Sequence, residues 1–159
     1  MSIEIRPEPP RQPEVEELLR LSDEFAFALY PADSCYLLDV SELEKPGVTV
    51  FVARIDGRAL GMAALVVSAA DGEPSGELKR MFVHEDARGR GLARSLLAAL
   101  ESAAADAGVA ELRLETGPLQ HAAIALYERA GYARIPNFGP YVGDEFSVCY
   151  AKALAVATR

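Results

Sequence analysis

Tryptophan is absent from the 159-residue chain, and cysteine and histidine are scarce, with two of each. Cys35 and Cys149 are too few for a disulfide framework. With only His84 and His121 beside them, they form no spaced set of metal ligands. Positive charge is also in short supply: Lys plus Arg is 16 against 24 for Asp plus Glu, a formal net charge of −8. Such a balance argues against nonspecific nucleic-acid binding and favours a cationic small molecule such as a polyamine, an aminoglycoside or a peptide amine. No apolar run approaches the ~20 residues of a membrane span, and the opening MSIEIRPEPP lacks the apolar segment of a signal peptide. The expectation is a cytoplasmic protein with reduced thiols and no membrane partner. Half the residues are hydrophobic and a quarter charged, so one well-buried domain over residues 1–159 is expected, with no internal repeat.

A short strand is expected at Ile3–Ile5, halted by Pro7, Pro9 and Pro10. From Pro13, the residues Val15, Leu18, Leu19, Ser22, Phe25 and Leu29 recur at helical spacing, with Pro31 as the stop. Val48–Ala53 and Ala59–Ser68 read as strands joined by the hairpin signal Asp56-Gly57. Their unbroken apolar character predicts cover on both faces. The segment Asp71–Gly76 reads as a turn into a strand at Glu77–Val83. Next come a helix with the stripe Leu92, Leu96, Leu100 and Ala103, closed by Gly108, and a strand at Glu111–Thr116. A helix at Gln120–Ala130, stopped by Gly131, and a strand at Phe146–Ala153 complete the chain. This order describes an α/β domain in which the strands at 77–83 and 111–116 run parallel, joined by a right-handed crossover. The last strand offers an edge for pairing into a homodimer.

The most informative segment is Met81-Phe-Val-His-Glu-Asp-Ala-Arg-Gly-Arg-Gly-Leu-Ala-Arg94, at the junction of strand and helix. A helix start carries unpaired N–H groups and partial positive charge, the ingredients of an anion site. Gly89 and Gly91 remove side chains from the approach, and Arg88, Arg90 and Arg94 concentrate charge that the rest of the chain lacks. No GxxxxGK[ST] sequence exists, which excludes a P-loop. The dinucleotide fingerprint fits poorly, because five residues separate strand from glycine and the third small residue is missing.

Arg88-x-x-Gly91-x-Ala93 resembles the pyrophosphate motif of the GNAT N-acetyltransferase superfamily. Ala123-Ile-Ala-Leu-Tyr127-Glu-Arg-Ala-Gly131-Tyr132 resembles that family's second signature, and Arg134–Tyr141 is similar to a bacterial subgroup of it. The resemblance covers the chain from about Ala59 onward. It implies a mixed, mostly antiparallel sheet with a splayed parallel strand pair in the centre, flanked by helices. It further implies acetyl-CoA as co-substrate and a small-molecule or peptide amine as acceptor. By position, Met81, Phe82 and Val83 would contact the pantetheine arm. The amides of Arg88, Gly89, Arg90, Gly91, Leu92, Ala93 and Arg94 would wrap the pyrophosphate. Gln120 stands where the family commonly has an asparagine that contacts pantetheine, and its longer side chain departs from that pattern.

Tyr127 matches the family's usual general acid, a role consistent with a departing thiolate that gains from protonation. For the base that deprotonates the amine, the candidates are Glu77, placed first, and Glu115. The acceptor side is expected from the first helix, the loop Tyr30–Leu38 and the loop Asn137–Asp144, with Tyr30, Asp33, Tyr36 and Tyr141 as contacts. Cys35 has no paired base in the sequence, which favours direct transfer in a ternary complex over a covalent enzyme intermediate. The alternative reading is a non-catalytic acyl-CoA sensor of the same fold.

Overall fold

The computed structural model describes residues 2–70 and 72–155. Its element order is β1 (Ile3–Pro7), α1 (Pro13–Leu29), α2 (Val40–Leu43), β2 (Val48–Ile55), β3 (Arg58–Ala70), β4 (Glu73–Val83), α3 (Leu92–Asp106), β5 (Glu111–Thr116), α4 (His121–Arg129), β6 (Ala133–Ile135) and β7 (Val148–Ala153). Short 3-10 turns lie at Ala32–Ser34, Glu85–Ala87 and Gly139–Tyr141. All seven strands form one sheet in the order β1-β2-β3-β4-β5-β7-β6. Every neighbouring pair is antiparallel except β4 and β5.

Strand alternation explains the two-sided burial. Val50 and Val52 of β2 with Met62 and Ala64 of β3 meet Val15, Leu18 and Leu19 of α1 and Leu43 of α2. Phe51, Ala53, Ala63 and Leu65 point the other way, into a larger core with Leu92, Leu96, Leu97 and Leu100 of α3. The hairpin between β2 and β3 turns at Asp56 (φ 49°) and Gly57 (φ 87°), the double positive φ that matches strand twist in a two-residue turn. The small helix α2 begins with a capping box: Asp39 accepts from the Glu42 amide, and Glu42 accepts from the Asp39 amide.

Four expectations are corrected. First, β4 begins at Glu73, so the chain turns earlier than the proposed Asp71–Gly76, of which Asp71 lies outside the described residues. Pro74 is tolerated because β5 joins β4 only from Gly76 onward, leaving that side of Pro74 without a partner strand. Second, α2 and β6 had no signal strong enough at four and three residues. Third, the last strand is not an edge: β7 lies between β5 and β6, and β6 takes the edge. Fourth, Phe25 is not buried with the helical stripe but is 43% exposed, because it lines the open cleft.

That division gives a testable contrast. Leu96 is fully buried, with its Cδ1 3.2 Å from where a side chain on Gly61 would begin. Leu96→Ala is expected to cost about 2–5 kcal/mol in urea unfolding, whereas Phe25→Ala, starting from an exposed ring, is expected to cost below ~1 kcal/mol.

Candidate active site

The parallel pairing of β4 with β5 lasts for only three residue pairs: Gly76 with Leu112, Glu77 with Arg113, and Leu78 with Leu114. Beyond Leu78 the register of β4 against β3 also slips. Met62 faces Phe82 while Ala64 faces Lys79, so two residues of β4, Arg80 and Met81, stand opposite the single residue Ala63. This is a β-bulge, which bends its strand and increases the local twist. Arg80 adopts φ 57°, an unusual conformation for a residue with a side chain. Its guanidinium is held by α1, with Nη1 donating to Asp23 Oδ1 at 2.7 Å and Nη2 donating to the Leu19 carbonyl at 3.1 Å. The ion pair is almost wholly shielded on the arginine side.

A cleft of about 820 Å³ opens where the two strands part. The whole run Leu78–Val83 lines it, adjacent residues included, so the cleft meets the strand along its edge as well as one face. At one end the wall continues through Ala87, Arg88, Gly89 and Gly91 into the first turn of α3 at Leu92, Ala93 and Arg94. Gly89 (φ 80°) and Gly91 (φ 78°) both lie in the left-handed region, and a Cβ on either would meet no atom within 4 Å. The glycines are therefore required by backbone conformation rather than by crowding, and they leave open space in front of the turn. Gly91 is the N-cap of α3, so the first amides of a 15-residue helix lack partners within the helix at this wall. Arg88, Arg94 and Arg129 add side-chain charge around them. Conformation, open space and donor chemistry all suit the diphosphate of an acyl-CoA.

Of the expected cofactor contacts, Met81, Phe82, Val83, Arg88, Gly89, Gly91, Leu92, Ala93, Arg94 and Gln120 line the cleft; Arg90, between the two glycines, is exposed. Gln120 Oε1 accepts from the Gly117 amide at 3.0 Å and from Thr116 Oγ1 at 3.3 Å. Those bonds fix the carboxamide and leave its NH₂ end to donate elsewhere.

At the other end, Glu115 sits on the floor near the end of β5, with Ser147 Oγ donating to its Oε2 at 2.8 Å. Burial pushes the Glu115 carboxyl up to about 7, against the lowering influence of Ser147 and Lys79. Tyr30 and Tyr36 also line the cleft. The Tyr30 hydroxyl accepts from the Leu119 amide at 3.0 Å, and Tyr36 donates to Asp144 Oδ2 at 2.6 Å. The Tyr36 phenol is pushed up to about 12, chiefly by that bond to a carboxylate. Tyr30 needs Gly117 beneath it, since a Cβ there would lie 1.9 Å from its hydroxyl.

Other expected residues stand apart from the cleft wall. Glu77 Oε2 accepts from Tyr141 at 2.6 Å, Lys79 Nζ donates to the same hydroxyl at 2.6 Å, and Lys79 lies 3.8 Å from Glu77. Neither Glu77 nor the fully buried Tyr141 lines the cleft. Asp33 is exposed and is not part of the wall. Tyr127 is buried in the larger core, its ring 5.9 Å from that of Tyr132, while its neighbours Ala123 and Leu126 face the cleft. Burial first, and the Glu115 carboxylate second, raise the Tyr127 phenol well above its ordinary value.

The sequence reading missed Ser147 and Phe146 as parts of this end, and it included Asp144 only as the last residue of a loop. Asp144 accepts from Ser34 Oγ, Tyr36 and the Phe146 amide, tying the loop after α1 to the loop before β7. Asn137 Nδ2 reinforces that second loop by donating to the carbonyls of Tyr141 and Ser147, each at 3.0 Å. An acidic residue beside glycine, Gly143-Asp144, carries no signal of these partners in the sequence alone.

The raised Glu115 carboxyl has a consequence for stability. The folded protein holds the proton up to about pH 7, whereas a glutamate in the unfolded chain gives it up near 4.5, so between these the native state binds more protons than the unfolded chain. Stability must then fall as pH rises through that window. Glu115→Gln is expected to flatten this fall, raising the urea midpoint relative to the parent at pH 8 and leaving it closer at pH 4.5.

Comparison with known proteins agrees with this geometry. The family model described as acetyltransferase (GNAT) family matches residues 13–132. An IAA acetyltransferase of Azospirillum brasilense is 40% identical over 153 residues, covering 96% of this chain and 99% of that protein. Human N-acetyltransferase 8 is 27% identical over 154 residues, with 84% of this chain aligned to 65% of its length. Among solved structures, a Klebsiella pneumoniae protein named as an acyl-CoA N-acyltransferase superposes with a TM-score of 0.79 at 35% identity, covering 96% of this chain and 98% of its own. A GNAT acetyltransferase from Elizabethkingia anophelis with acetyl-CoA bound shares the fold at a TM-score of 0.69 and 18% identity, covering 96% and 98%.

Proposed function

The chain belongs to the GNAT acetyltransferase family, and we propose that it transfers an acetyl group from acetyl-CoA to a primary amine by direct attack in a ternary complex. The observation that carries this reading is the pairing of two ends of one cleft. A glycine turn with free helix amides stands at one end, and a lone carboxylate titrating near neutrality stands at the other. Bound acetyl-CoA would supply the activated acetyl group. Residues 1–159 act as one acetyltransferase domain, and the free thiols of Cys35 and Cys149 support a reducing, cytoplasmic setting.

In the proposed mechanism the amides from Arg88 to Arg94 hold the diphosphate, and the edge of Met81–Val83 aligns the pantetheine arm, with the Gln120 carboxamide as a further donor. Glu115 accepts a proton from the acceptor ammonium, directly or through water, because a base poised near 7 is half ionised at working pH. Glu77 is the less suitable base, since Tyr141 and Lys79 already occupy its carboxylate. The neutral amine nitrogen then bonds to the acyl carbon as the carbon–sulfur bond breaks, the sulfur leaves with the electron pair, and the surplus proton on nitrogen passes through water or the Tyr127 hydroxyl to that sulfur. Tyr127 is the proposed donor to the leaving sulfur; because it lies behind the cleft-lining Ala123 and Leu126, the thioester would have to seat against that part of α4 for the phenol to reach it. Its raised phenol makes complete proton transfer uphill, so its contribution is greatest as a donor to developing charge. Tyr30 and Tyr36 shape the acceptor end, backed by Tyr141.

Thiol release from acetyl-CoA with an amine panel tests the reading. For an accepted amine, kcat/KM is expected to rise with pH through an apparent pKa near 7. Glu115→Gln should remove that inflection and lower kcat/KM by about 10²-fold at pH 8. Tyr127→Phe should lower kcat by about 10- to 100-fold while the Kd for acetyl-CoA measured by calorimetry stays within about threefold. Tight binding of acetyl-CoA with no turnover of any amine would identify a sensor instead.

A further inference from the structure

The charge on the acceptor end specifies its substrate more narrowly than the net charge of the chain does. Glu115 is the one carboxylate among the described residues that line the cleft, against Lys79, Arg80, Arg88, Arg94 and Arg129. Arg88 and Arg94 belong to the glycine turn and the first turn of α3, where an anionic co-substrate would meet them, and Arg129 ends α4. At the acceptor end the other charged groups are engaged by protein partners, although Asp144, held by neutral donors, keeps its negative charge behind the cleft lining. Lys79 is paired through Tyr141 with Glu77, Arg80 is paired with Asp23, and Asp144 is occupied by Ser34, Tyr36 and the Phe146 amide. One acidic group is therefore left for an incoming cation.

The walls around that group are aromatic. Tyr30 and Phe146 pack at 6.3 Å between ring centroids, Tyr36 lies across from them in the same lining, and Phe25 stands at the rim, 43% exposed. Exposure of a large ring at a cleft mouth, with an apolar Leu119 at 51% nearby, offers surface that an apolar substrate would cover.

Resting on the acetyltransferase reading above, we propose that the acceptor is a monoamine with an apolar, aromatic-sized body, and that Phe25 is a specificity-determining residue. The single ammonium meets Glu115 and surrenders its proton there, after which neither partner carries charge. The apolar body covers Phe25, Tyr30 and Phe146. A polyamine or aminoglycoside would bring further ammonium groups between aromatic walls that hold no second anion. The attraction of a ring face for a cation does not replace the water such a group loses. The net acidic charge of the chain is therefore a poor guide to its substrate, because among the described residues one carboxylate, Glu115, lines the cleft.

The test compares phenethylamine, spermidine and kanamycin at pH 8 by thiol release, and in parallel by calorimetry on the CoA-bound protein. Phenethylamine is expected to exceed both polycations in kcat/KM by at least tenfold, and to bind the CoA complex where spermidine does not. Phe25→Glu, which places a second carboxylate at the rim of an exposed position, is expected to lower kcat/KM for phenethylamine and raise it for spermidine. A purely structural effect would lower both alike. Preference for spermidine or kanamycin in either measurement, or equal loss in Phe25→Glu, would overturn the proposal. Selective binding of phenethylamine without turnover would instead uphold the acceptor class and overturn the catalytic reading, so the two fail separately.

Discussion

The parting of β4 from β5 after three paired residues is the constraint on which the rest depends. Two parallel strands in register would close the sheet and leave no route through it. The bulge at Arg80 and Met81 prevents that closure. It is maintained by a residue in an unfavourable conformation whose side chain is locked to α1 through Asp23 and the Leu19 carbonyl. Strain of this kind persists only where surrounding contacts overdetermine it, and such places concentrate at functional sites. The first helix thus does more than cover the sheet. It holds the bulge beside the cleft through Arg80, and its C-terminal half supplies Phe25 to the lining.

Electrostatics divide the cleft into two ends of opposite character. The glycine turn, the start of α3 and three arginines form a region that attracts anions. The far end is largely apolar, and Glu115, the one carboxylate among the described residues that line it, is pushed up to about 7 by burial. The division suits a reaction between a polyanionic donor and a singly charged acceptor, because each reactant is drawn to its own end and repelled by neither. Stability is spent for this arrangement, since a carboxyl that resists ionisation weakens the fold wherever it is ionised.

Much of this was legible in the sequence. The proline stops, the Asp56-Gly57 turn, the change from strand to helix period after Val83, and the two glycines with their arginines all act locally, so a linear reading finds them. The wall of glycines, arginines and helix amides was legible for the same reason, being built from one contiguous segment. The acceptor end was not, because it is assembled from β4, β5 and two loops more than a hundred residues apart, joined at Asp144 and Tyr36. The pairings that occupy Glu77 and Asp144 are long-range, and no spacing rule announces them. The left-handed Arg80 was invisible too, since arginine carries no signal for that conformation and its cause lies on another element. The edge of the sheet was misread because β6 is three residues long and gains its strand character only by pairing with β7.

The central claim is that main-chain donors of the turn between β4 and α3 grip the diphosphate. Its most direct test is a titration of isotopically labelled protein with coenzyme A, following backbone amide resonances by nuclear magnetic resonance. The account predicts that the largest shifts fall on the amides of Gly89 through Arg94, with smaller ones along Met81–Val83. Saturable binding that leaves those amides unmoved and perturbs another face of the sheet would contradict it.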